Sequence, residues 1–421
     1  MKILHVIGQR PEKTGSGIYL QAIARESQKW GHCNYMVAGV ALDDIPDLTS
    51  IPRDCCQYVE FESDHRSNDH LGFPVTGMSD VMPYKSSLFK ELKDDRLASY
   101  KTAFSRILKK AVDFYQPDII HTHHLLVLTA LTRKLFPHLP IVTTCHGTDL
   151  RQYNNCEHLR DFVKKHCRQL DGIIALTNDQ KSDIIRLYDI SPDKISAIGG
   201  GYDEKIFNRT PKTLNNKVHI LYAGKFNRSK GVPWLLRSLA NISDHEWHLH
   251  MAGSGKGPEF EECITLAKKL GQKVTIHGYV TQYQLSALMK KAHIQVLPSF
   301  FEGLPLVLFE GLASGCRIIT TNLSGFTEIF GAVKKETVDL IQLPTLQTID
   351  QPFSKDEPWL EKELRRKIIQ MIDRVKEHPD YNDKHAEKIA LDYTWQQVFK
   401  RIFSVYQAAI QKTHENPDSV I

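Results

Sequence analysis

The chain has 421 residues, more than one hydrophobic core usually supports, so two domains are expected. Its 41% hydrophobic and 24% charged composition is that of a soluble globular protein, and no stretch reaches the roughly 18 apolar residues of a transmembrane helix. A net charge of +5 suits a phosphate-bearing ligand or an anionic membrane surface, or simply a mildly basic exterior, and no nucleic-acid partner is expected.

Met1–Gly8 is an apolar run too short for a signal segment, so it reads as a buried first strand. The eight cysteines show no Cys-x-x-Cys pair and no framework spacing, which fits a reduced cytoplasmic setting; Cys145 and Cys316 read as small core residues. Short apolar runs alternate with helix-period segments, the pattern of parallel sheets with crossover helices. Strands are expected at Ile3–Ile7, Tyr35–Gly39, Ile119–His121, Ile141–Thr144 and Gly172–Leu176. After Ile3–Ile7 a Gly15–Gly17 turn leads into a helix over Ile18–Glu26. Glu62–Ser87 is long, polar and punctuated by Pro and Gly, and is either an acceptor-binding loop or a disordered insertion. Leu97–Tyr115 is an amphipathic basic helix with Lys101, Arg106, Lys109 and Lys110; it packs on a sheet or lies on a membrane.

A Gly-rich stretch near Gly199–Lys212 marks a junction, and a second series of strands follows. These are Val218–Ala223, His248–Met251, Val274–Ile276, Ile294–Leu297 and Arg317–Thr320. The first of them ends in a cationic loop, Gly224–Gly231, before a helix with Pro233 at its start. Glycine lets backbone approach a phosphate, the helix N-terminus adds positive potential, and Lys225 and Lys230 add point charges. Gly253–Gly257 is a similar loop after the next strand. Each is a weak signal alone; at successive strand ends they outline an anion pocket.

Ile294–Leu297 runs through Pro298–Leu304 into a helix expected over Pro305–Ser314, with Gly315 as its stop. Leu306, Phe309, Glu310 and Ala313 share a stripe, which places the Glu310 carboxylate on an apolar inward face. Such a group needs a partner: solvent, an internal Arg, or a ligand diol such as a ribose. Glu302 lies just beyond a strand end, where open α/β sheets bind ligands.

Glu302 and Glu310 stand in the E-x7-E spacing of retaining GT-B glycosyltransferases. With the surrounding Pro298–Gly315 block, Gly325 and Glu328, the chain resembles glycosyltransferase family 4. Gly199–Phe207, His277–Val280 and the Tyr393–Ala409 helix resemble further segments of that family. The resemblance covers most of the chain and is tightest in the C-terminal block. It implies an α/β GT-B fold of two Rossmann-like doubly wound domains facing a central cleft. Residues 1–205 would form the acceptor-side domain, 206–389 the donor domain, and 390–421 a segment crossing back onto the first.

The resemblance also implies roles. Glu302 would touch the donor-sugar hydroxyls and Glu310 the ribose. Lys225 and Lys230 would neutralise the diphosphate. Amides around Gly303, Leu304 and Pro305 would support sugar and phosphates, and Tyr279 would lie near the base. Gly15 and Gly17 match the loop that approaches the phosphates, and His146 matches the histidine facing the transferred sugar. His123, His124 and Arg151 are acceptor candidates. A core role for His146 and a surface role for Arg151 stay open. Most family members carry Arg where Lys225 stands, and Gly200 replaces an interdomain Asn, so donor affinity could be lower.

The implied reaction moves a hexosyl or N-acetylhexosaminyl group from a nucleotide sugar to a hydroxyl on a glycan, lipid-linked or small-molecule acceptor. A UDP-sugar is favoured, with GDP-mannose the alternative. No Asp-x-Asp metal handle occurs, so lysines would replace the metal, and no cofactor is expected. His121, His123, His124 and Cys145 could suggest zinc, but no recognised ligand spacing appears. Rival readings are a nucleotide-sugar 2-epimerase, a glycoside hydrolase and an inactive binding protein. The expected location is cytoplasmic, with contact at the inner membrane face left open.

Overall fold

The computed structural model describes residues 1–12, 14–42, 44–62, 71–79, 82–323 and 325–415, without the side chain of residue 414. It contains two compact units, Met1–Gly200 with the chain from Trp395 onward, and Gly201–Thr394. The divisions fall about five residues from the expected 205 and 389. Tyr202 N–H bonds Tyr393 O at 2.9 Å, and the Tyr393 ring stacks on Phe309 at 4.1 Å, which ties both ends of the second unit into its own core.

The first unit is built on seven parallel strands: β1 (Lys2–Ile7), β2 (Cys33–Ala41), β3 (Cys56–Phe61), β4 (Ile119–His123), β5 (Ile141–Thr144), β6 (Gly172–Ala175) and β7 (Ile195–Ala197). Their order is β3-β2-β1-β4-β5-β6-β7. β3 and β7 were not anticipated. Both lie at sheet edges, where half-exposed residues blunt the apolar signal.

Helix α1 spans Gly15–Lys29, so Gly15–Gly17 is its first turn rather than a turn before it. Thr14 is the N-cap, its hydroxyl accepting from Gly17 N–H at 3.1 Å. Helix α2 (Asp94–Tyr115) buries Tyr100, Phe104, Leu108 and Ala111 in the core, so its apolar face packs on the first unit as the sheet-packing alternative expects. Helix α3 spans Thr148–Asn155. The C-terminal helix, Trp395–Glu415, packs on α1, β5 and β6. In the Glu62–Ser87 segment, 63–70 and 80–81 lie outside the described residues, and Thr76–Gly77 pairs with Ser87–Leu88.

The second unit has six parallel strands: β8 (Val218–Ala223), β9 (Trp247–Ala252), β10 (Val274–Gly278), β11 (Ile294–Leu297), β12 (Arg317–Thr321) and the unanticipated edge strand β13 (Val338–Ile341). The order β10-β9-β8-β11-β12-β13 is that of a Rossmann sheet, with its switch point between β8 and β11. Helix α4 spans Val232–Ala240 and α5 spans Leu306–Ala313. Pro305 is the N-cap of α5, not its first residue; of the expected stripe Phe309 and Glu310 are buried while Leu306 and Ala313 are partly exposed, and Leu308, Gly311 and Leu312 complete the inward face. Cys145 and Cys316 are buried and all eight cysteines are free thiols. Among the described residues no helix is long and apolar enough to cross a membrane.

Candidate functional site

In the second unit the cationic loop leaves β8 and the Glu302 loop leaves β11, the two strands at the switch point. Gly231, at φ +68°, packs directly against the Pro298 carbonyl, where any side chain would collide, so the two loops lie together. The Tyr222 hydroxyl donates to Lys225 O at 2.6 Å, and Asn227 Oδ1 accepts from Lys230 N–H at 3.0 Å. Phe226 N–H donates to Ser254 O at 3.0 Å, which brings the Gly253–Gly257 loop against the first.

On this frame Lys230 Nζ pairs with Glu302 Oε1 at 2.8 Å and donates to Phe301 O at 2.8 Å. Ser299 Oγ donates to the same carboxylate oxygen at 2.8 Å. Lys225 is exposed; partial desolvation at the loop and the charge of Lys230 hold its ammonium below the ordinary lysine value, against the pull of Glu302.

Glu310, in the second turn of α5, is 9% exposed, and among the described residues no donor or cation is bonded to its carboxylate. Burial alone pushes its pKa up to about 7. Gly303 and Leu304 are partly exposed, but Pro305 is buried and has no N–H. The amide donors at this corner are therefore Gly303, Leu304 and the first turn of α5. Tyr279 follows Gly278 at the end of β10 and is 84% exposed.

In the first unit His146 follows β5, and Gly147, at φ +89°, turns the chain into α3. The buried Asp149 carboxylate accepts from Leu125 N–H at 2.8 Å and His146 N–H at 3.1 Å, so it fastens the ends of β4 and β5 together. The partly exposed His146 ring meets Tyr19 edge-on at 5.1 Å, and its Nε2 lies 3.2 Å from His123 Nδ1. Burial pushes His146 down to about 3, so it is neutral at pH 7.

His123 is buried, with its Nδ1 against His146, and together with His124 it lines a small cavity that also includes Gly8, Gln9 and Met78. His124 is also buried; its Nε2 contacts Ser16 Oγ at 3.0 Å. Arg151 is exposed on α3. Gly15 is exposed with open space around it, whereas a side chain on Gly17 would collide with the Pro11 carbonyl.

Gln9 was missed by sequence reading. Its Nε2 donates to Ser16 Oγ at 2.8 Å and its Oε1 accepts from Met78 N–H at 3.2 Å, so it joins the α1 entry to the 76–78 segment. Its place just past the β1 terminus was the available signal.

The family model for Glycosyltransferase Family 4 matches residues 87–205, and that for Glycosyl transferases group 1 matches residues 203–338. An uncharacterised glycosyltransferase of Methanocaldococcus jannaschii is 23% identical over 325 residues, covering 71% of this chain and 77% of that protein. A sucrose-phosphate synthase structure from Thermosynechococcus elongatus matches with a TM-score of 0.70 at 16% identity, over 98% of this chain and 100% of that one. Anabaena HepE, solved in complex with UDP, matches with a TM-score of 0.60 at 14% identity, over 97% of this chain and 100% of that one. At such identities the structural likeness establishes the fold.

Proposed function

Because this chain belongs to glycosyltransferase family 4 and is a GT-B glycosyltransferase, we propose that it moves a hexosyl or N-acetylhexosaminyl group from a nucleotide-diphosphate sugar to an acceptor hydroxyl, with retention and without a metal at the diphosphate. A UDP-sugar is the favoured donor; the UDP-bound HepE neighbour supports that choice. The observation that carries the reading is Glu310, a buried carboxylate bonded to no protein donor among the described residues, in the helix after β11 of the sheet that also carries the cationic loop. A vicinal diol supplies two O–H donors to such a group, which is what a ribose offers.

Cleavage of the bond between sugar and diphosphate builds positive charge on the sugar and negative charge on the leaving group. Lys225, Lys230 and the amides of Gly303 and Leu304 are the groups we assign to the leaving group, as preorganised electrostatic stabilisation. The diphosphate would compete with Glu302 for Lys230, and the released carboxylate would bind donor-sugar hydroxyls. His146, neutral at pH 7, is assigned to the transferred sugar by its motif match, as a hydrogen-bonding group rather than a charge.

A thermal-shift series with UDP-, GDP-, ADP- and dTDP-sugars, with and without EDTA, tests this. A ligand that binds only the folded state raises its stability. A shift with one nucleotide class that survives EDTA is the expected result. No shift from folded protein would overturn the donor-site assignment, and conversion of the donor to its 2-epimer without acceptor would replace transfer by epimerisation.

A further inference from the structure

Three imidazoles gather inside the first unit, none of them among the residues assigned to the diphosphate. His5 pairs with His121 across β1 and β4, and His123 pairs with Ile7 two positions further on, so all three project from one sheet face. All are essentially unexposed, and one ring nitrogen from each can be taken so that the three lie within 4.8 Å of one another. Two nitrogens of this cluster, His5 Nδ1 and His123 Nε2, are buried without a hydrogen-bond partner.

The surroundings decide what His5 presents. Asn34 Nδ2 donates to Ala24 O at 3.1 Å, which turns its Oδ1 toward His5 Nε2 at 3.1 Å. That oxygen also accepts from Ser27 Oγ at 3.0 Å. His5 Nε2 therefore carries the proton, and its orphaned Nδ1 is a lone pair facing inward. His123 Nδ1 contacts His146 Nε2, so a proton on Nδ1 leaves a second lone pair on His123 Nε2. Burial keeps His5 down at about 4 and His121 and His123 well below the ordinary histidine value, so all three are neutral ligands at pH 7.

We propose that His5, His121 and His123 bind one first-row divalent metal ion, zinc by the type of donor. Three imidazoles with a fourth position open form a known zinc donor set. Ligand nitrogens around a tetrahedral ion at 2.0–2.1 Å stand about 3.4 Å apart, so nitrogens now within 4.8 Å close by up to about 1.4 Å, and the stacked His121 and His123 rings tilt so that their in-plane lone pairs meet at the ion. His121 holds the Tyr406 hydroxyl at Nδ1, 2.7 Å, and the Thr144 hydroxyl at Nε2, 2.8 Å; ligation displaces one and keeps the other to orient the ring. Asn34 and His146 orient the remaining two in the same way. No carboxylate belongs to the cluster, so the ion brings an anion, hydroxide or chloride, as its fourth ligand.

The test measures metal content in tag-free, full-length protein. Protein exposed to zinc and then desalted through EDTA is analysed by mass spectrometry for bound metal, in a His248→Ala/His250→Ala background that removes imidazoles of the second unit. About one equivalent per chain is expected, and His5→Gln, which can still bond Asn34, should drop it to background with the circular dichroism spectrum unchanged. Should His5→Gln fail to fold, cobalt loading of the background protein gives the second readout, the visible absorption of a tetrahedral nitrogen-ligated ion. Background metal and no cobalt absorption in folded protein would overturn the proposal, with water the bridge between the orphaned nitrogens. Full uptake retained by folded His5→Gln would overturn it equally.

Discussion

Lys230 Nζ lies 2.8 Å from Glu302 Oε1, so the cation assigned to the diphosphate and the carboxylate assigned to the sugar neutralise each other across the loops leaving β8 and β11. The pair is largely shielded, its side chains 20% and 16% exposed, so neither charge is left alone in a partly dry corner. A donor that carries both a diphosphate and sugar hydroxyls can take up both partners at once, and neither nucleotide nor free sugar alone can do so.

Lys230→Ala should therefore lower kcat/KM by roughly 10²–10³-fold, the scale of losing one preorganised charge-stabilising donor. Glu302→Gln should retain nucleoside diphosphate binding and lose turnover. In a double-mutant cycle the two losses should be strongly non-additive. Additive losses would show that the pair is structural and does not exchange with donor.

Gly15 and Gly17 separate ligand approach from packing. Gly17→Ala should destabilise, because the new methyl meets the Pro11 carbonyl. Gly15→Ala has open space in the first turn of α1 and should be neutral or stabilising by about 0.5–1 kcal/mol. If a phosphate comes up to this turn, Gly15→Ala still weakens donor binding several-fold. Calorimetric titration beside a melting curve gives both numbers, and unchanged affinity in Gly15→Ala would remove this turn from the donor site.

His146→Ala should cut turnover at least 10-fold while nucleotide affinity stays near wild type, since the nucleotide is assigned to the other unit. The buried Asp149 that fastens the backbone of His146 and Leu125 is untouched, so the melting temperature should hold. A parallel fall in stability and turnover would make His146 a packing residue.

The central strands were legible because both faces are buried and the apolar runs are continuous, as in Val218–Ala223 and Ile294–Leu297. The edge strands Cys56–Phe61, Ile195–Ala197 and Val338–Ile341 carry mixed residues and were not. The Glu302–Glu310 block was legible because its elements are contiguous. Gln9 and the His5 cluster were not, since their partners come from strand register: His5 meets His121 only once β1 and β4 are paired in parallel. The burial of His123 likewise follows from that face being covered, which spacing along one strand does not reveal.

Acid should destabilise the protein through the histidine row of the second sheet. His250 is buried between His219 Nδ1 at 3.1 Å and His277 Nε2 at 3.0 Å. Burial first, then the charges of His248, Lys291, His219 and His277, press it down to about 3. The unfolded chain takes up that proton near pH 6.5, so the contribution is full above 6.5 and is lost as pH falls toward 3. By pH 5 the loss is about 2 kcal/mol for this one group. His250→Gln should flatten the fall of melting temperature between pH 7 and 5, and an unchanged slope would show that other groups set it.

Glu310 should set function against stability in the opposite direction. Its pKa is raised from 4.5 to about 7, so between those values the folded state holds a proton that the unfolded chain has released. Folding stability then falls as pH rises through this window and stays reduced above 7, by at most about 3 kcal/mol at 1.36 kcal/mol per unit. Glu310→Gln removes the titration and should raise the melting temperature of the ligand-free protein at pH 8 while leaving it unchanged at pH 5. The same substitution removes the anionic acceptor assigned to the ribose, so nucleotide affinity should drop roughly 10-fold or more, as for loss of a charge-assisted hydrogen bond. In the wild type, affinity should rise between pH 6 and 8, because the diol favours the ionised carboxylate and its binding pulls the pKa back down. Stability gained and binding lost in one variant is the signature of a carboxylate kept buried for a ligand. A variant that loses both would instead place Glu310 among the residues that hold α5 in the core.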